Sequence, residues 1–568
     1  MPKSFYSPWS YGRTTGATQV AAPVAVATWV VPTAAIMTAT VLAAPVAIAA
    51  WTVPPATIRM VINPDAPIEP IPYVELELDG FDQGWTDVAA DCELAYGITI
   101  QWGIDGGGPK DLVARTGTAR FVLDNSERNS IGVVGYYSLY NVNRRAGWAL
   151  GIRCRIRFRD PNTSIYHTRF LGRIDAIDPR PGVDGPLMVA VTATDWIDEA
   201  ARFTLTPAIG KQENKRWNEV IDAILAEMPR QPDSVSLDNG GEAYPFALDT
   251  TASTGQPALS EFVKLASSEF GLIYQKADGM FRAENRHARM LRTGFDWILD
   301  DSQMQDLSMP STRDEVINTV RVIIHPKKPE DDISVVYDQA SVITLTAGET
   351  KLLLGSFRDP ISGDAIGATN VQPPVAGLDY IANTLPDGSG SPASSLLTVV
   401  VELGQSGANF SITNNHSADL SLTRNQLRGQ AIKDRDPQTF TDTDDASVEA
   451  IGVHDVEFDM AYQHDDDVGR GAALYLKNKY SSAMAQARTI RVLGDTPELL
   501  TQILARDISD RIAISEAVSG LNSTYFINGG ELRYLPSRLA QATYTLAPAQ
   551  DPFAGLYWIL GTSALAPG

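Results

Sequence analysis

The chain of 568 residues holds only two cysteines, Cys92 and Cys154. One pair cannot build a disulfide framework, and no CxxC or mixed Cys/His spacing offers a zinc site. Both are expected as small buried apolar residues. The six histidines are scattered, with no carboxylate or cysteine partner at a meaningful spacing. Nucleophile elbow, phosphate-binding loop and zinc-protease helix motifs are all missing. No catalytic, metal-ligating or cofactor-binding residue is therefore assigned, and no cofactor is expected. Basic charge is also short: 46 Lys and Arg against 68 Asp and Glu leave a net charge of −22. Such a surface repels free nucleic acid, which argues against general DNA binding and suits a wall that DNA passes without sticking. The opening MPKSFYSPWSYG lacks the basic-then-apolar design of a signal peptide, so no secretion signal is expected there.

Between Arg13 and Arg59 charge is absent altogether, and this stretch contains a repeat. VAAPVAVATWVVPTAAI (20–36) recurs as LAAPVAIAAWTVPPATI (42–58), 22 residues later, with 11 of 17 positions identical. A membrane-spanning helix needs roughly 20 apolar residues. Pro23, Pro32, Pro45 and Pro54 cut the stretch into shorter pieces. Proline also bars it from the centre of a sheet. Residues 1–63 are therefore expected to be extended and covered by a partner or by neighbouring copies. So much exposed apolar surface would otherwise invite aggregation. Trp29 and Trp51, one per copy of the repeat, are interface candidates, and stable membrane insertion is not expected.

What the chain has in plenty is strand grammar. In GIRCRIRFRD, Ile152, Cys154, Ile156 and Phe158 fall on one face, and Arg153, Arg155, Arg157 and Arg159 on the other. Strand side chains alternate with period two, so apolar groups meet a core while a ladder of guanidiniums stands outside. TARFVLDN, FLGRIDAID and LMVAVTATD repeat the pattern. The length demands several domains, and 35 prolines and 44 glycines fit a loop-rich β protein. A first β unit is expected over 64–205. Helical spacing at Trp217, Val220, Ile221, Ile224, Leu225 and Met228, a second helix near 256–270 and a hairpin at Asp278–Gly279 make 206–296 a small α+β module. Residues 297–329 read as a strand entering a second β unit. Residues 330–430 read as an inserted β-sandwich, and 431–568 as the rest of the second unit. In that last part helices are expected at GRGAALYLKNKY and near 496–505, and strands at ARTIRVL, RIAISE, STYFINGGELRY and ATYTLAP.

The densest acidic cluster, Asp442, Asp444 and Asp445 with His464 to Asp467, lacks calcium-loop spacing and reads as solvated or helix-capping charge. Asp175 and Asp178, a pair of the kind glycosidases use, are better explained by the turn chemistry of GRIDAIDPRPG. The arginine ladder has two readings. One is a solvated face paired locally with Asp and Glu; the other is a docking face for an acidic neighbour. On the second reading, reversing Arg155 and Arg157 to glutamate weakens assembly while the chain still folds.

GTARFVLDNSERN, GIRCRIRF, FLGRIDAIDPRPG and VTATDWIDEAARF together resemble the opening domain of tail hub (minor tail or tail-tip) proteins of long-tailed bacteriophages. LASSEFGLIYQKADGMFRAENRHAR is similar to that family's middle module. INTVRVI, AYQHDDDVGRGAALYL and DISDRIAISEAVSGLNSTYFINGGELRYL with ATYTLAP resemble its second barrel. The resemblance implies a mainly β fold with two tail-tube-like β-barrels, a small α+β module and an inserted sandwich. It implies a non-enzymatic virion protein assembled in the host cytoplasm. Three copies would form a ring joining the six-fold tail tube to a three-fold tip, with a channel for tape measure and DNA. Implied partners are further copies of itself, the distal tail protein, the tail tube or tape measure protein and a central fibre or spike, with DNA only in transit. Three rivals stand beside this reading. One is a receptor- or carbohydrate-binding tip protein using the 330–430 sandwich, where aromatics are few (Phe357, Tyr380, Phe410). The others are a tail-associated cell-wall hydrolase and a membrane-anchored surface protein.

Overall fold

Alternation of apolar and polar residues becomes strand between Ile71 and Thr194. The structure, a computed structural model, describes residues 68–549 apart from 182–186, 206–208, 210–211, 250–255, 311, 435–436 and 482–485. The repeat segment, with Trp29 and Trp51, lies outside the described residues. The first described strands are β1 (Ile71–Leu76), β2 (Thr86–Asp87), β3 (Ile98–Gly103), β4 (Thr118–Asp124), β5 (Arg153–Arg159), β6 (Tyr166–Arg180) and β7 (Met188–Thr194). Helix α1 (Trp196–Arg202) follows, started by the Asp195 side chain, which accepts from the Ile197 amide at 3.1 Å.

The module between them and the late strands comprises β8 (Gln212–Arg216), α2 (Trp217–Glu227), β9 (Ser234–Leu237), β10 (Ala243–Ala247), α3 (Ala258–Glu269), β11 (Leu272–Gln275) and β12 (Met280–Glu284). The helical spacing is realised: Trp217, Val220, Ile221, Ile224 and Leu225 of α2 are all buried. Next come β13 (Trp297–Leu299), β14 (Asp306–Ser308) and β15 (Thr319–Ile324).

An insertion then carries β16 (Lys327–Pro329), β17 (Ser334–Asp338), β18 (Ile343–Leu345), β19 (Thr350–Ser356), β20 (Gly367–Thr369), β21 (Tyr380–Asn383), β22 (Leu397–Leu403), β23 (Gly407–Asn414) and β24 (Leu420–Asp434). The 15-residue β24 pairs with β16, β17, β18, β20 and β21, while β19, β23 and β22 form a second sheet. Both sheets share one core around Phe357, Phe410, Ile412, Leu422 and Leu427.

The chain closes with β25 (Gln438–Thr443), α4 (Asp445–Ile451), β26 (Asp455–Met460), α5 (Asp466–Tyr480), β27 (Thr489–Leu493), α6 (Pro497–Ala505), β28 (Arg511–Glu516), β29 (Leu521–Tyr534) and β30 (Ala540–Pro548).

The fold is mainly β, but the grouping of its strands follows edges rather than chain order. One 13-stranded sheet runs β14-β27-β30-β29-β3-β4-β7-β6-β5-β1-β2, with β28 and β13 attached to β29. Its two end strands, β14 and β2, are not paired with each other. The pieces expected as a second unit, 297–329 and 431–568, are divided. β13, β14 and β27 to β30 join the strands of 64–205 in this sheet, whereas β15 pairs with β25 and β26 in a separate one. The reason is where the apolar faces go. Val320, Val322 and Ile324 of β15 pack with Val468, Ala472 and Leu476 of α5 and with the core of the small module. Ile490, Val492, Leu532, Ala542 and Leu546 pack with Ile98, Ile100, Ile156 and Phe158.

The seam of the large sheet is β3 against β29, antiparallel, with Gly103 opposite Gly529 and Ile98 opposite Tyr534. Rings from both sides close over it: Phe158 lies 5.9 Å from Tyr534, and Trp102 stands edge-on to Tyr544 at 6.5 Å. Helix α6 is packed into the same core through Leu499, Leu500, Ile503 and Leu504, each burial stabilising by about 2 kcal/mol. The backbones approach so closely that Gly103, at φ +92°, has no room for a side chain. A Cβ there would stand 2.5 Å from the Gly529 Cα. Gly103→Ala should therefore destabilise the chain by about 3 kcal/mol. Gly294→Ala, where nothing lies within 4 Å, should leave the urea midpoint almost unmoved.

Candidate functional site

On β5 the apolar residues Cys154, Ile156 and Phe158 are buried, and the arginines take the opposite face as expected. The acidic surface they meet belongs to the same chain. Glu75 stands opposite Arg155 on β1. Its carboxylate accepts from Nε of Arg155 and from Nε of Arg157, both at 2.7 Å. Arg153 is buried and donates to Glu77 at 2.8 Å and to Asp233 of the small module. Aromatic rings fill the gaps: Arg155 lies 4.3 Å over Trp85, and Arg157 5.0 Å over Tyr166. Arg159 alone among the four has no carboxylate partner among the described residues; it donates to Ser164 at 3.2 Å. The local pairing of this face corrects the expected effect of charge reversal. Glutamate at 155 and 157 would gather three carboxylates around position 75, so loss of the fold itself is the expected result. The signal for these partners was present in YVELEL, whose alternating acids mirror the ladder. The rings were not foreseeable, because they come from elsewhere in the chain, Trp85 from the segment before β2 and Tyr166 from β6.

A wider surface emerges from the strand register. One row crosses the large sheet through Asp306, Arg491, Thr543, Glu531, Gln101, Thr118, Thr194, Arg173 and Arg153. Every position is polar, and the row passes over the β3–β29 seam without a break. Its charges are balanced in place. Gln101 donates to Glu531 at 2.7 Å, Arg533 pairs with Glu531, Arg491 lies 3.7 Å from Asp306 and Arg115 2.8 Å from Asp105. Arg115, Arg491, Glu531, Arg533, Gln541, Thr543 and Thr545 line a shallow depression of about 390 Å³ here. At its far end the row runs under the small module, where Arg153 is buried. Arg120, one step off the row, is exposed and has no carboxylate partner among the described residues.

The other acidic groups serve structure. Asp444 and Asp465 cap α4 and α5, and Asp442 holds Lys477 at 3.0 Å. Asp175 pairs with Arg202 at 2.8 Å and Asp178 with Arg180 at 3.3 Å; both lie within β6, which runs past the expected turn to Arg180. Two carboxylates do meet in the small module, Glu242 and Glu269, but Arg286 binds both, at 3.2 Å for Glu269. Burial raises the Glu269 carboxyl above its ordinary value against the pull of Arg286. Among the described residues no cluster of three or more His, Cys, Asp or Glu is placed to hold a metal ion. No described helix is long and apolar enough to cross a membrane.

No protein-family model matches the chain, and no curated protein matches it. Among solved structures, it is similar to a tail protein from Neisseria meningitidis at 8% identity and a TM-score of 0.42, covering 84% of this chain and 96% of that one. It is similar to a tail protein of prophage MuSo2 from Shewanella oneidensis at 10% identity and a TM-score of 0.44, covering 84% and 99%. A prophage tail protein from Listeria monocytogenes matches at 7% identity and a TM-score of 0.36, covering 83% and 94%.

Burial opposes ionisation of Glu75, yet hydrogen bonds and charge from Arg155 and Arg157 outweigh it and hold the carboxyl below its ordinary 4.5. Its contribution to stability is therefore full above that value and is lost as pH falls through the depressed folded value. Glu75→Gln should lower stability at neutral pH by about 1–2 kcal/mol, allowing for the partial solvent screening of the two guanidiniums. Urea midpoints of variant and parent should converge in acid.

Proposed function

We propose that this chain is a non-enzymatic structural subunit of a phage tail tip or baseplate hub. Three copies form a ring that adapts a six-fold tail tube to a three-fold tip, with the polar row of the large sheet facing a channel for tape measure and DNA. The observation that carries this reading is the row itself. It has no large apolar side chain to hold a passing protein. Most of its cations are already paired, so few are free to displace the counterions of a passing polyanion. It is also assembled from two chain segments lying side by side, so that three chains present six panels. The net charge of −22 adds long-range repulsion of DNA. The proposed partners are further copies of the chain, the distal tail protein, the tube or tape measure protein and a central fibre or spike.

One observation favours a second role for the insertion. Phe357 and Phe410 are fully buried and Tyr380 nearly so, leaving none of these rings exposed for stacking on sugar. The outer face of its smaller sheet, however, exposes Leu352, Leu354 and Val400. A protein receptor fits that face better than a carbohydrate does.

Native mass measurement tests the ring: a threefold multiple of 61.4 kDa is expected, and a chain that stays monomeric at all concentrations contradicts the reading. The channel is tested with a bulky maleimide on Thr543→Cys. Cys154 is buried and Cys92 half-buried, so the label is placed on a Cys92→Ser background to make it selective. It should block genome delivery from assembled tails, while the same label on Thr413→Cys, in the insertion, should not.

A further inference from the structure

The connection from β4 to β5 spans residues 125–152 without a strand or helix. Irregular loops of that length are uncommon in compact domains and usually functional. This one is tied down at its base. The Asp91 carboxylate accepts from the Tyr137 hydroxyl, from Ser130 Oγ at 2.8 Å and from the Ser130 amide at 2.5 Å. Trp148, buried, donates from Nε1 to the Tyr137 carbonyl at 2.8 Å, and its ring meets Tyr137 edge-on at 5.4 Å. Asn125 bonds Ser138 Oγ and the Tyr137 amide, each at 2.8 Å. The tip is the reverse of the base. Tyr140 is 100% exposed and Val142 95%. Asn143 binds the Val134 carbonyl at 3.1 Å, which holds the two arms of the tip together. Beside them, Arg144 donates to the Leu139 carbonyl at 3.3 Å and has no carboxylate partner among the described residues. An aromatic and an arginine held out on a rigid base are the side chains that most often dominate protein interfaces.

We infer that this loop is a docking knob for a second copy of the same chain, seated on the acidic stretch from α4 to β26. The charges fit. Asp445, Glu449 and Glu457 are exposed there, with no cationic partner among the described residues, and Val453 between them is 67% exposed. The chain as a whole is strongly acidic, so the Arg144 knob meets an opposite charge on its own kind. The inference rests on the ring reading and names the contact within it.

The test is the association of the full chain by sedimentation. Parent protein should form a trimer. Tyr140→Ala with Val142→Ser should weaken association about tenfold or more without changing thermal unfolding, since both side chains stand in solvent. Arg144→Glu should weaken it as well, and adding Glu457→Arg to Arg144→Glu should restore part of the loss. If the parent forms trimers and these variants do so equally well, the knob is refuted while the ring stands. If the parent does not associate at any concentration, the ring reading falls and the knob falls with it.

Discussion

The pairing of β3 with β29 is the constraint on which the large sheet depends. It joins residues more than four hundred positions apart and turns an early and a late group of strands into one surface. The price in chain entropy is large, and it is offset by apolar residues from both segments meeting in a single core. The glycines at the seam are part of the same requirement. Where two backbones must touch, the sequence supplies residues without a side chain at Gly103 and Gly529. The polar row exists only because this register holds, since a slip of one residue would turn its threonines inward.

Charge in this protein is managed by self-pairing. The arginine ladder looks like an exposed basic strip when β5 is read alone. Glu75, Glu77 and Asp233 neutralise three of its rungs, and Trp85 and Tyr166 cover their flat faces. The same device recurs across the row, where Glu531 answers both Gln101 and Arg533. Guanidiniums held this way order a surface and add little net field. That is how an acidic chain can present arginines on the face proposed here for a channel without offering DNA a hold.

Much of the local structure was legible. Period-two runs at 118–124, 153–159 and 188–194 became strands, and the helical spacing from Trp217 became α2. RIAISE, STYFINGGELRY and ATYTLAP became three adjoining strands. Grouping was less legible, because periodicity says which face of a strand is buried and nothing of which edge it meets. INTVRVI read as the entrance to a unit completed by 431–568. Its strand β15 instead packs under α5 beside the small module. The candidate surface shows the same division. The ladder was visible in one stretch of sequence, and its acidic partners were visible in YVELEL. The row running from Arg491 to Thr194 draws one residue from each strand, so no window of sequence contains it.

Helix α6 fills the space on the inner side of the large sheet with leucine and isoleucine. Among the described residues this core is filled, and it leaves no bore behind the sheet. In the ring proposed above, an opening wide enough for a double helix would be a property of several copies arranged around an axis. Its diameter then follows from how many gather and at what angle, so the gauge of such a conduit is set by quaternary geometry and is indifferent to side-chain changes deep within any one member.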